Sequence, residues 1–327
     1  MTNFYKGRKV FIAGGAGLIG QALVRKLVPL GADVTATEWK ARKIGPEFRG
    51  EIGTILGGID LRAAAYSDLI KLYEGQEIVF WAAAKVGGAR AIREKPSDLI
   101  HYNLEMAARN IKAAVDAGVK RFAFVSSSYC YPDLDRPARE EDIWAGDVPL
   151  IHYGLGWVKR YLETLCRHHH MTSNTRFAIA RPVALYGPYD DFDLETCHVV
   201  PALIRKFADG PYPVEIWGDG SEVRQFTYSE DFVEGLLRIV EDYCVADPVN
   251  IAANEQTSVR ELAELIASRT NWPDINFSGS GARAIGKRVS DVSKAKRRLG
   301  FECKMDLAAG LKLTLDWYRK NHVETAG

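Results

Sequence analysis

Short apolar runs alternate with amphipathic stretches along the first half of this chain. Lys9 to Ala13 and Asp33 to Thr37 read as strands, Thr54 to Gly57 as a weaker one, and Glu77 to Ala82 and Arg121 to Ser126 as strands again. Between them apolar positions recur at helical spacing, as in Gln21 to Leu30, Ala64 to Tyr73 and Asn103 to Ala117. Gly118 closes the last of these before an apolar run resumes, which is how a helix stops and a strand restarts. Strands alternating with helices predict an α/β fold, a Rossmann-like doubly wound parallel sheet covered on both faces. Ligands of such a sheet sit at the carboxyl ends of its strands. Beyond Phe177 to Ala180, proline, glycine and aromatic residues concentrate from Arg181 to Gly220. The pattern predicts a dinucleotide-binding domain over residues 1–184 and a smaller α/β domain over 185–327 that mainly binds substrate. Strands near Phe226 and near Asn250 to Ala252 are expected to return to the first sheet.

The first strand runs straight into Gly14-Gly15-Ala16-Gly17-Leu18-Ile19-Gly20, and a helical pattern follows at once. Glycines at 14, 17 and 20 allow a tight turn, close backbone approach to a pyrophosphate, and packing of the helix on the sheet. The N–H groups of Leu18, Ile19 and Gly20 at the helix start would face the phosphates. Glu38 ends the second strand, where an acid accepts hydrogen bonds from the adenosine ribose, so NAD is the expected cofactor. Lys40 and Arg42 lie close behind and leave NADP possible. Asp60 and Leu61 would meet the adenine edge, and Ala82 to Ala84 would form a small-residue floor.

Composition narrows the function classes. Lys and Arg total 43 against 42 Asp and Glu, a net charge of +1, which argues against a dedicated nucleic-acid or anionic-membrane surface. Five scattered cysteines without a CxxC pair read as free thiols in a reducing compartment. No apolar run approaches the roughly 18 residues of a membrane span, so a cytoplasmic protein is expected. Consecutive helical residues point in different directions, so His168, His169 and His170 read as a solvated helix end rather than a metal site.

Several motifs in order carry a resemblance: GGAGLIG, Asp60-Leu61, WAAAKVGG, VSSSYCYP, RPVALYGP, RQFTYSEDF and RVSDVSKAKRRLGF. Together they resemble the extended short-chain dehydrogenase/reductases, the NAD-dependent epimerases and dehydratases of nucleotide sugars. Within that family the likeness is greatest to the GDP-L-fucose synthases, through Ala83 to Gly88 and the run from Leu185 to Leu203. The resemblance implies a nucleotide-diphosphate sugar substrate, with GDP as the nucleotide. It also implies a homodimer through the helices Asn103–Ala117 and Tyr153–His168.

The same resemblance assigns residues. Ser127 takes the hydroxyl position that hydrogen-bonds the reacting oxygen, and Lys159 the lysine that binds the nicotinamide ribose. His198 falls on the histidine acid of the fucose synthases, while Tyr129 stands where they carry a cysteine. Arg224 and Arg288 match arginines that clamp the pyrophosphate, a task suited to a guanidinium that bonds two oxygens at once. Lys85, Val200 to Lys206 and Trp217-Gly218 would line the substrate pocket. Ala184 replaces an asparagine common in the motif. Dehydratases carry Asp-Glu at Ser128-Tyr129, so dehydration is not expected.

The family tyrosine is displaced. Its YxxxK spacing puts both groups on one helix face, yet position 155, four before Lys159, is Leu. Tyr153 lies six before Lys159, about 120° out of phase on an ideal helix. Three readings stand open. Tyr153 reaches the site because Gly154 and Gly156 make an irregular or late-starting helix; Tyr129 supplies the phenol; or no tyrosine acts. The function expected is NAD(P)-dependent epimerisation or reduction of a nucleotide-linked keto-sugar. The alternatives are a 4-epimerase with tightly bound NAD and a catalytically silent nucleotide-binding protein.

Overall fold

A computed structural model of the protein describes residues 3–39, 42–87, 96–270, 274–279 and 285–322. The first half forms β1 (Lys9–Ala13), α1 (Leu18–Leu27), β2 (Asp33–Glu38), β3 (Thr54–Gly57), α2 (Tyr66–Tyr73), β4 (Ile78–Trp81), α3 (Pro96–Asp116), β5 (Arg121–Val125), α4 (Tyr153–Thr172) and β6 (Arg176–Pro182). It continues through β7 (Ala184–Tyr186), α5 (Val199–Asp209), β8 (Val214–Ile216), β9 (Val223–Arg224), β10 (Phe226–Tyr228), α6 (Ser229–Asp242) and β11 (Val249–Ile251). The chain then forms β12 (Thr257–Ser258), α7 (Val259–Ala267), β13 (Ile275–Phe277), β14 (Lys287–Arg288), α8 (Ser293–Leu299) and α9 (Leu307–His322).

Seven strands form one parallel sheet in the order β11-β6-β5-β4-β1-β2-β3. Its central strands are buried almost throughout because helices cover both faces. The two-residue strand period sends Val10 and Ile12 into one core with α1 and α6, and Phe11 and Ala13 into another with α2, α3 and α4. A third core joins Tyr186, Phe192, Val200, Leu262 and Leu311 around α5, α7 and α9.

Two expectations change. Val249–Ile251 does return to the large sheet, beside β6. Phe226–Tyr228 does not: β11 already occupies the free edge of β6, and β10 pairs with β7 in a separate sheet. Helix α3 starts at Pro96 rather than Asn103, since proline suits the first helical position, where no N–H partner is needed. No helix among the described residues is long and apolar enough to cross a membrane.

Candidate active site

The turn from β1 into α1 makes a cradle at the carboxyl end of the sheet. Gly14 sits at φ +81°, a region that disfavours side chains. A Cβ there would stand 2.9 Å from the Ala83 backbone. Its N–H donates to Thr37 Oγ1 at 2.8 Å, tying the turn to β2. Gly17 caps α1 without a side-chain bond, so the first-turn N–H groups of Leu18, Ile19 and Gly20 face the strand ends. A Cβ on Gly20 would lie 2.6 Å from Gly15 Cα. Ala82 donates to the Ala13 carbonyl at 3.1 Å, bringing the β4 end alongside, with Ala84 exposed beyond it. This bare backbone and dipole end fit the pyrophosphate of a dinucleotide.

The expected adenosine contacts are differently arranged. Glu38 does end β2, but it is buried and its carboxylate is engaged within the chain. It accepts the Ile44 N–H at 2.8 Å and bonds Arg49, with Lys43 Nζ 3.3 Å away. Burial pushes this carboxyl up, but the Ile44 N–H and Arg49 hold it below its ordinary value. Glu38 is therefore the anchor of a basic loop rather than an open ribose acceptor. Arg42 pairs with Asp191 at 2.8 Å, and Lys40 lies outside the described residues. Asp60 Oδ1 accepts the N–H groups of Arg62 and Ala63 at 2.9 and 3.1 Å, while Leu61 is core.

Ser127 and Lys159 come to the end of β5. Ser127 Oγ accepts the Tyr129 N–H at 3.2 Å and opens the short turn Ser128–Cys130. Lys159 Nζ donates to the Val125 carbonyl at 2.9 Å and lies over the Phe124 ring; burial lowers its pKa to about 8. Beneath them Glu163 holds the buried Arg181 at 2.9 and 2.6 Å and accepts from Ser126. Arg181 also donates to Tyr131 Oη at 2.8 Å. Ser126, Tyr131 and Arg181 lie in two of the motifs above, but nothing in the sequence joins them to Glu163, because they are far apart along the chain.

Tyr153 is not brought to Lys159. Helix α4 is regular from residue 153, and Tyr153, Trp157 and Tyr161, spaced four apart, are exposed by 45%, 38% and 55%. Tyr153 belongs to that outward stripe, its ring edge-on to Trp157 at 6.3 Å. Gly154 and Gly156 do not loosen the helix; they let it approach its neighbours. A Cβ at 154 would be 2.6 Å from Ile100 Cγ1, and one at 156 would be 2.5 Å from Val148 Cγ1 and closer to the Tyr129 carbonyl. The reading that Tyr153 reaches the site through an irregular helix is thereby corrected. Leu155 stands at the tyrosine position.

A second cluster forms around Tyr129. Its ring stacks on His152 at 4.0 Å, with the Arg288 guanidinium 4.6 Å from the ring centre. Arg288 and Arg224 are direct register partners on the parallel strands β14 and β9, and neither makes an ion pair among the described residues. Burial and the nearby Arg288 lower the pKa of Arg224 to about 10. His198 precedes α5 and is half-buried; burial and Arg288 lower its pKa. A neutral imidazole suits proton acceptance better than the donation expected of it. Cys130 is buried among Tyr131, Ala138 and Ile143, away from this cluster, and burial raises its pKa to about 12. Lys85 is exposed, its Nζ 5.2 Å from the Tyr102 ring, and Asn103 bonds its backbone at 2.9 Å. The Val200 side chain is committed to the third core, so only its backbone remains for a ligand.

Residues 10–252 match the model of the NAD dependent epimerase/dehydratase family. The chain belongs to that family. Enzymes of this family are NAD-dependent, and the cradle described above is where the dinucleotide fits. The chain is 30% identical over 322 residues to GDP-L-fucose synthase 1 of Arabidopsis thaliana, covering 97% of this chain and 94% of the relative. It is also 30% identical over 321 residues to GDP-mannose 3,5-epimerase of the same plant, covering 95% and 82%. Among solved structures, a GDP-mannoheptose C4 reductase from Campylobacter jejuni with NADP bound superposes with a TM-score of 0.79. That pair shares 25% identity and covers 98% of this chain and 99% of the other. His152 escaped the sequence reading because nothing local distinguishes it; the one available signal was its position seven residues before Lys159, two helical turns away.

Proposed function

We propose that this family member is an NAD(P)-dependent epimerase/reductase of a GDP-linked keto-sugar, working in the cytoplasm. The carrying observation is the Arg224–Arg288 register pair. Two guanidiniums side by side, with no ion-pair partner among the described residues and only Glu222 nearby to offset them, repel one another and call for a dianionic ligand such as a diphosphate. The near full-length match to relatives named for GDP-sugars supports the base. Five unpaired cysteines support a reducing compartment.

Bound NAD(P) would supply or accept the hydride. Lys159 has N–H groups left for the nicotinamide ribose, and Ser127 offers its hydroxyl to the sugar oxygen. Tyr129 presents its phenol at the same strand end. His198, neutral at pH 7, would take a proton from a carbon next to the ketone. Lys43 and Arg49 beside Glu38 suit the 2′-phosphate of NADP, while the cradle between β1 and α1 serves either cofactor.

The test combines calorimetric titration of GDP and UDP with turnover of GDP-4-keto-6-deoxymannose in deuterated water. GDP is expected to bind at least tenfold more tightly than UDP, and Arg224→Met to weaken GDP by roughly tenfold or more. Deuterium beside the ketone reports epimerisation and NADPH loss reports reduction. Leu155 at the tyrosine position favours a second reading, a nucleotide-sugar binder without hydride exchange, which silence in both channels would select. The exposed stripe Tyr153, Trp157 and Tyr161 supports a homodimer through α3 and α4. Light scattering should find a dimer that Trp157→Glu with Tyr161→Glu splits.

A further inference from the structure

His152 is 9% exposed and ends the short turn Leu150–His152 that leads into α4. Arg288 lies 2.9 Å from its Nε2. A guanidinium can only donate, so Nε2 must accept and the imidazole proton must sit on Nδ1. That Nδ1 is buried and has no partner among the described residues, and the same is true of Arg288 Nε. Two residues in contact thus each keep an orphaned donor, and both line a narrow cavity with Tyr129, Leu134, Arg136 and Lys287. Buried donors without acceptors are costly, and their pairing here points to an oxygen-rich ligand.

Helix geometry says which part of the ligand. Leu155 and Lys159, four apart, share one stripe of α4, and His152 stands at the N-cap, three residues before Leu155. Tyr153 is on another. Leu155 removes the usual hydroxyl from that stripe, and His152 puts a donor about one turn earlier. It touches Arg288, at the diphosphate end, and stacks on Tyr129, in the turn opened by Ser127 at the end of β5.

We propose that His152 is a substrate-binding residue: its neutral imidazole, oriented by Arg288, donates from Nδ1 to a sugar oxygen of the nucleotide sugar. The proposal rests on the functional reading above. Neutrality is secured by burial and by the two facing cations, Arg288 and Arg224, which bring its pKa to about 3. A neutral imidazole next to guanidiniums is a fixed hydrogen-bond donor, not a proton shuttle.

The experiment compares GDP with GDP-mannose by calorimetry on wild type, His152→Phe and His152→Asn. Phe keeps the stack on Tyr129 without a donor, and Asn places an amide N–H near the Nδ1 position. Phe should weaken GDP-mannose about tenfold and GDP less than twofold, with Asn recovering most of the loss. Equal weakening of both ligands, or of neither, overturns the proposal. Nitrogen-15 NMR of histidine-labelled wild type should show a single Nδ1–H tautomer for His152, and an Nε2–H tautomer overturns it independently of any variant. Wild type that binds neither GDP nor UDP nor their sugars refutes the functional reading itself; normal GDP binding with no sugar-specific loss refutes this inference alone.

Discussion

Gly156 gives a case where two effects of known size oppose each other. Replacing a mid-helix glycine by alanine ordinarily stabilises a helix by about 1 kcal/mol. At 156 the added Cβ would lie 2.5 Å from Val148 Cγ1, 3.0 Å from Val148 Cγ2, and nearer still to the Tyr129 carbonyl oxygen. The valine can shift, but the carbonyl moves only if the Ser128–Cys130 turn moves, and overpacking of that kind costs about 1–3 kcal/mol. The net expectation is a loss of up to about 2 kcal/mol, together with weaker nucleotide-sugar binding, since the turn carries Tyr129. Gly154 is the comparison: its Cβ meets one side chain, Ile100, and no backbone, so Gly154→Ala should cost less than Gly156→Ala. Urea unfolding followed by far-UV circular dichroism measures both variants. A Gly156→Ala midpoint at or above wild type would refute the packing argument.

Three further outcomes follow from the same geometry. Arg181→Met leaves Glu163 buried without its partner and should cost about 3–5 kcal/mol in urea unfolding, most of it recovered in Arg181→Met with Glu163→Leu. Leu155→Tyr returns a phenol to the position four before Lys159 and should raise NADPH-dependent turnover at least tenfold; an unchanged rate would show that the lost tyrosine does not limit the reaction. Burial brings the Lys159 ammonium to about 8, so its charge is lost as pH rises through that value. NADPH affinity measured by fluorescence should fall between pH 7 and 9 in wild type and stay flat in Lys159→Met.

What could be read from sequence was local or periodic. Gly14, Gly17 and Gly20 announced the cradle because a turn, a close approach and a helix start are decided within a few residues. The parallel sheet was legible because strands buried on both faces leave apolar runs separated by helical spacing. Lys159 was assigned by the family resemblance, and the structure brings it to the end of β5. The six-residue gap to Tyr153 left three readings open, and the regular helix from residue 153 decides against the first.

Tertiary packing decided the rest. Glu38 sits where its strand position required, yet the loop folding back from Ile44 to Arg49 spends its lone pairs. Gly154 and Gly156 read as flexibility in the sequence, and only the neighbours Ile100, Val148 and Tyr129 reveal close packing instead. The Arg224–Arg288 pair depends on register between β9 and β14, about sixty residues apart in sequence. His152 acquires its tautomer from Arg288, a residue 136 positions away. Sequence fixes which groups a chain owns and the face each presents over a few turns; which charges meet, and which donors are left without acceptors, is set by contacts between elements that the sequence keeps far apart.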